Sequence, residues 1–118
     1  MDEVCLWGTT TVYLVENNQI TELIWTPGEF GLQACEVGEI RVHSAIESAQ
    51  MIQGIFSGQA GPARNIAVAN AAAALWTSRK FSTLKEGVEQ VENAIDSGLA
   101  QKKLEELCEF TQAFAAPK

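Results

Sequence analysis

The chain has 118 residues, 47% of them hydrophobic and 19% charged, and eight Lys and Arg against fifteen Asp and Glu give a formal net charge of −7. So apolar a composition excludes a disordered acidic tail, and the excess of carboxylates excludes a nucleic-acid partner of the usual kind, which is gripped through Lys and Arg on its phosphates. No apolar run approaches the ~20 residues that span a bilayer, and Met1-Asp2-Glu3 does not open a signal peptide, so the expectation is a cytoplasmic globular chain with no membrane partner.

Residues 4 to 25 read as strands. Val4 to Trp7 is a short apolar run closed by Gly8; Thr11 to Val15 is β-branched and aromatic; Ile20 to Trp25 is a second such run. Glu16-Asn17-Asn18-Gln19 lies between the last two and supplies turn chemistry, because asparagine tolerates the left-handed backbone region. A β-hairpin follows, with the first run as a third strand. Pro27 stops the second hairpin strand, since it cannot donate to a ladder. Residues 28–43 read as an irregular connection.

From residue 44 the period becomes helical, and four helices are predicted at about 44–56, 62–79, 83–97 and 99–114. Ser44-Ala45-Ile46-Glu47 and Thr83-Leu84-Lys85-Glu86 both have capping-box spacing, in which the hydroxyl takes a free backbone amide and the glutamate reaches back. Pro62 suits the first turn of the second helix, where a missing N–H costs nothing. That helix carries Ile66 to Trp76, apolar almost all round, so it should be buried, with Asn70 as its one polar side chain bonded to the backbone of a neighbouring element. Leu84, Val88, Val91 and Ile95 form one stripe of the third helix; Leu104, Leu107, Cys108 and Thr111 mark the face of the fourth. A hairpin with one extra strand makes a minimal sheet, and three amphipathic helices cover the alanine-rich one only in part. The chain therefore reads as an α/β fragment, a single partial domain over 1–118.

Few residues carry chemistry on their own account. Cys5, Cys35 and Cys108 form no CxxC and read as small buried hydrophobes. With only His43 besides, neither a zinc site nor a Cys-His nucleophile is assembled; His43 reads as a surface or capping residue. Asp2-Glu3 is an acidic pair at a strand start, either two solvated charges at a terminus or ligands for a hard cation such as Mg²⁺. Thr9-Thr10-Thr11 either present hydroxyls to a phosphate or simply favour a strand. Gly58-Gln59-Ala60-Gly61-Pro62 precedes a helix, where free amides attract anions, but it lacks the Lys-Ser/Thr of a nucleotide loop and reads as a turn.

Several ordered segments together resemble the anthranilate phosphoribosyltransferase family. These are Met1-Asp2-Glu3-Val4, which resembles its Asp-Glu signature; Thr26-Pro27-Gly28-Glu29-Phe30-Gly31-Leu32, which resembles Thr-Pro-x-x-Phe-Gly-Leu; and residues 58–112, from Gly-Gln-Ala-Gly-Pro-Ala-Arg-Asn to Leu-Glu-Glu-Leu, which resemble its C-terminal end. The resemblance implies a glycosyltransferase of tryptophan biosynthesis. It would move the phosphoribosyl group of 5-phosphoribosyl 1-diphosphate to anthranilate with release of diphosphate and use of Mg²⁺. It implies a fold of a small helical domain joined to a larger α/β domain, and a homodimer through a region absent here. In that family the Asp-Glu pair binds Mg²⁺, a role carried to Asp2 and Glu3 alone.

The departures matter as much. The family's Gly-Thr-Gly-Gly-Asp loop, its Lys-His-Gly-Asn-Arg-like segment and its anthranilate-binding arginine have no counterpart in these residues. Glu47-Ser48-Ala49 stands for Glu-Asn-Ala, and Arg64-Asn65 for Arg-Asp. The expectation is therefore a C-terminal third of the α/β domain, inactive as an isolated chain. The alternative is a stand-alone, non-enzymatic binding or regulatory module derived from that domain.

Overall fold

A computed structural model describes residues 3–114. Two strands, β1 (Thr10–Glu16) and β2 (Gln19–Trp25), pair antiparallel from Thr10↔Trp25 to Glu16↔Gln19. Asn17 and Asn18 close the hairpin with φ of 49° and 60°, the left-handed pair that a two-residue turn needs to match strand twist. Alternation sends Val12, Leu14, Leu23 and Trp25 inward and leaves Tyr13, Val15, Ile20 and Ile24 exposed on the other face.

The expected third strand is absent. Val4 to Trp7 bends at Leu6 and Trp7 and does not join the sheet, which has two strands. Its apolar character is used for burial instead: Val4 and Leu6 are core residues, and Leu6 is fully buried. Its backbone bonds go to an asparagine side chain, a threonine hydroxyl and the amide of Cys35 rather than to a ladder.

The connection is also more ordered than its glycines suggest. Pro27 ends β2 and at once opens a helical turn, α1 (Pro27–Phe30), at the N1 position. The Glu29 carboxylate accepts from the Thr26 amide at 2.7 Å and from its hydroxyl. Gly31, at φ 70°, takes the left-handed C-cap position, and the Leu32 amide returns to the Pro27 carbonyl at 3.0 Å. This turn drives Phe30 into the core, edge-on to Trp25 at 5.7 Å, while Trp25 meets Trp76 edge-on at 5.3 Å. A single 3-10 turn at Val37–Ile40 follows.

Four longer helices complete the fold: α2 (Ala45–Phe56), α3 (Pro62–Thr77), α4 (Leu84–Asp96) and α5 (Leu99–Gln112). The box at Thr83 is complete, with Thr83 Oγ1 accepting from the Glu86 amide and Glu86 accepting from the amides of Ser82 and Thr83. At α2 only the serine half forms as expected: Ser44 accepts from the Glu47 amide, but Glu47 reaches one residue further, to the exposed His43. α3 and α4 make the main interface. There Val68, Ala69 and Ala72 meet Leu84, Gly87, Val88 and Ile95.

Burial of α3 is one-sided, in line with the partial cover expected from three amphipathic helices. Ala67 and Ala74 are exposed, and with Ala71, Leu75, Ile55, Phe56 and Val91 they line an open apolar groove of about 510 Å³. The expected face of α5 is likewise uncovered beyond Leu104: Leu107, Cys108 and Thr111 are all exposed. Cys108 is thus not a core residue, and Cys5 and Cys35 are only half-buried. The radius of gyration of 16.2 Å exceeds the ~13.5 Å of a compact domain of this length. These helices and strands leave apolar faces that they do not themselves cover.

Candidate functional site

The site is best built from Val4 outward. Asn70, on the face of α3 toward the N-terminal segment, accepts from the Val4 amide through Oδ1 at 3.0 Å and donates to the Val4 carbonyl through Nδ2 at 3.0 Å. The same Nδ2 also meets the Ile66 carbonyl one turn back at 2.9 Å. The expected bond from Asn70 to a neighbouring backbone is therefore present, and it is double. One residue on, the Cys5 amide donates to Thr10 Oγ1 at 3.1 Å, tying the segment to the start of β1. The Leu6 carbonyl accepts from the Cys35 amide at 3.0 Å.

These anchors set the exposed Glu3 at the rim of an open cleft of about 640 Å³, together with Cys5, Trp7, Thr9, Thr10 and Thr11. Two features read separately from the sequence, Glu3 of the acidic dipeptide and the threonine run, thus come together. Asp2 lies outside the described residues. Thr10 is largely committed to Cys5, whereas Thr9 and Thr11 are exposed. Among the described residues no three His, Cys, Asp or Glu side chains gather as a metal cage. Magnesium does not demand one: it takes one or two carboxylates, keeps water and completes its shell with substrate phosphates. The Glu3 carboxylate beside an open cleft lined by Thr9, Thr10 and Thr11 fits that donor set.

The second candidate behaves as a turn. Its residues Gln59 to Pro62 border a cavity of about 360 Å³ whose lining includes one cation among the described residues, Arg64. That guanidinium is committed: Nη1 and the second terminal nitrogen donate to the two Asp96 oxygens at 2.7 and 2.9 Å. The bidentate pair holds the Asp96 carboxyl below the usual carboxylate range and Arg64 above its own. Sequence reasoning did not find this pair, whose members lie 32 positions apart with no local pattern to join them. Cys35 is no activated nucleophile, because burial, with Glu39 and Glu36 adding to it, pushes its thiol up.

Comparison with known proteins identifies the architecture. Residues 1–101 match the glycosyl transferase family, a/b domain. The chain belongs to that family. Among curated relatives, it is 40% identical over 111 residues to the anthranilate phosphoribosyltransferase of Petrotoga mobilis, covering 94% of this chain and 32% of the relative. It is 39% identical over 114 residues to that of Acetivibrio thermocellus, covering 97% and 33%, and 37% identical over 111 residues to that of Nitrosospira multiformis, covering 94% and 32%. The chain spans about a third of the length of the curated relatives it matches.

Membership gives the uncovered surfaces a context. The exposed hairpin face and the groove along α3 lie on a chain that corresponds to one third of longer glycosyltransferases. No helix among the described residues is long and apolar enough to cross a membrane.

Proposed function

We propose that this chain is the C-terminal third of the α/β domain of an anthranilate phosphoribosyltransferase, with Asp2 and Glu3 as its Mg²⁺ ligands. The observation that carries the reading is the shared cleft of Glu3 and Thr9 to Thr11, held in place by the anchoring of Val4 and Cys5. The substrates on this reading are 5-phosphoribosyl 1-diphosphate and anthranilate, in a cytoplasmic enzyme of tryptophan biosynthesis that dimerises through a part outside this chain. Bound Mg²⁺ would offset the negative charge that builds on diphosphate as it leaves. The chain's own share is to present carboxylate oxygens at the cleft rim and hydroxyl donors within it. It does not supply the residues that grip the donor or orient anthranilate, and without orientation of both substrates little rate enhancement survives.

The isolated chain is therefore expected to be inactive. Purified chain given anthranilate, 5-phosphoribosyl 1-diphosphate and Mg²⁺ should show no turnover above background. Adding the other two thirds of the Petrotoga mobilis relative should restore it, and Asp2→Asn with Glu3→Gln should abolish the restored rate. Turnover by the chain alone overturns the fragment reading; a double variant as active as the parent overturns the metal assignment.

A further inference from the structure

We propose that Asn70 is a positioning residue for Glu3, fixing through Val4 the register in which Glu3 meets the cleft. The proposal rests on the metal reading of Asp2 and Glu3 and adds to it the device that sets the geometry of Glu3. An amide inside an apolar helical run is costly to bury unless its polar atoms are bonded. Asn70 meets that demand entirely with backbone: both polar groups of Val4, and the carbonyl of Ile66.

The form of the contact matters. Exchanging an N–H···O and a C=O···H–N bond with one residue is what a neighbouring strand does at a hydrogen-bonded pair. Asn70 thus serves as a one-residue strand partner for a segment that has no place in the sheet. Thr10 Oγ1 accepts from the next amide, that of Cys5, and the Cys35 amide donates to the Leu6 carbonyl. Val4 and Leu6 are buried while Glu3 is exposed, so a slip of one residue would exchange inward and outward side chains and withdraw the carboxylate from the cleft rim. A support that orients a ligand in this way typically governs metal affinity by about 10–100-fold.

The test uses the whole chain, with Mn²⁺ as a paramagnetic stand-in for Mg²⁺, and follows amide signals by NMR. In the parent, Mn²⁺ should broaden the amides of Glu3 to Cys5 selectively, Glu3→Gln should weaken that effect, and the Val4 amide should exchange slowly. Asn70→Ala should speed Val4 exchange while leaving Val68 and Ala72 protected, and should weaken Mn²⁺ binding about ten-fold or more. Unchanged Mn²⁺ affinity alongside fast Val4 exchange would make Asn70 merely structural and overturn the proposal. Absence of local broadening in the parent, with Val4 still slow, would sink the metal reading itself and the proposal with it. If Asn70→Ala does not fold, Asn70→Ser takes its place: the shorter side chain cannot bond both polar groups of Val4, and weakened or unchanged Mn²⁺ binding decides the matter the same way.

Discussion

Gly87 of α4 lies directly against the backbone of Ala72 of α3: a methyl group on Gly87 would stand 3.1 Å from the Ala72 carbonyl oxygen and 3.2 Å from its Cα. Neither atom can rotate aside, so the two helices would have to part. Overpacking of this kind costs about 1–3 kcal/mol, against a gain of up to about 1 kcal/mol from replacing glycine by alanine within a helix. Gly87→Ala should therefore lower stability, by about 1 kcal/mol net, read as a fall in the urea midpoint. Gly8→Ala is the control, since nothing lies within 4 Å of its added methyl, and its midpoint should stay close to the parent's. A more stable Gly87→Ala protein would show that the α3–α4 contact is looser than described.

Two leucines on amphipathic stripes separate what is packed from what is only patterned. Leu84 on α4 is buried at 7% exposure, whereas Leu107 on α5 is 56% exposed. Leu84→Ala should cost about 2–5 kcal/mol, as core truncations do, while Leu107→Ala should change stability by no more than about 0.5 kcal/mol. Equal losses in the isolated chain would mean that α5 finds cover, for example by self-association, which sedimentation at the same concentration would reveal.

The same contrast marks how much the sequence disclosed. Local rules carried far: Asn17-Asn18 specified the hairpin turn, Thr83 with Glu86 specified the start of α4, and Pro62 that of α3. The lone Asn70 in an alanine run pointed to a backbone partner, which it has. Part of what failed depended on distant chain. Val4 to Trp7 has strand composition, but its partner is a side chain 66 positions away, and no period reports that. Residues 27–30 form a helical turn because Glu29 folds back on Thr26, a contact overlooked when Pro27 was read only as a stop. The burial expected of Cys108 is not met, and its neighbours Leu107 and Phe110 are exposed as well. Hydrophobic pattern records what an element is able to bury, and on α5 the described residues leave that face open. At the candidate site, Glu3 and Thr9 to Thr11 were each legible as possible ligands, but that they share a cleft was not.

Cys108 and Cys35 should react in an order set by exposure and ionisation. Cys108 is exposed; Cys35 is half-buried, with its ionisation disfavoured first by burial and then by Glu39 and Glu36. Because the thiolate is the reactive form, a disulfide reagent at pH 7.5, followed by peptide mass analysis, should modify Cys108 first and Cys35 well after it. Cys35 reacting first would contradict its packing against the core.

Acid should loosen the fold partly through Arg64 and Asp96. The Asp96 carboxyl is held below its ordinary range chiefly by hydrogen bonds from the Arg64 guanidinium; Glu29 is held down in the same direction by the Thr26 hydroxyl and amide. A carboxyl whose folded pKa is depressed binds fewer protons folded than unfolded, so its contribution is present above the unfolded carboxylate range, near pH 4, and is lost as pH falls through the lower folded value. The urea midpoint should accordingly drop between about pH 4 and pH 2. Asp96→Asn should flatten part of that drop while lowering the midpoint at pH 7, because Arg64, only 9% exposed, then lacks its carboxylate. Glu29→Gln should flatten a further part. If Asp96→Asn keeps the full acid dependence of the parent, the pair does not contribute to folding, and other carboxylates govern the loss.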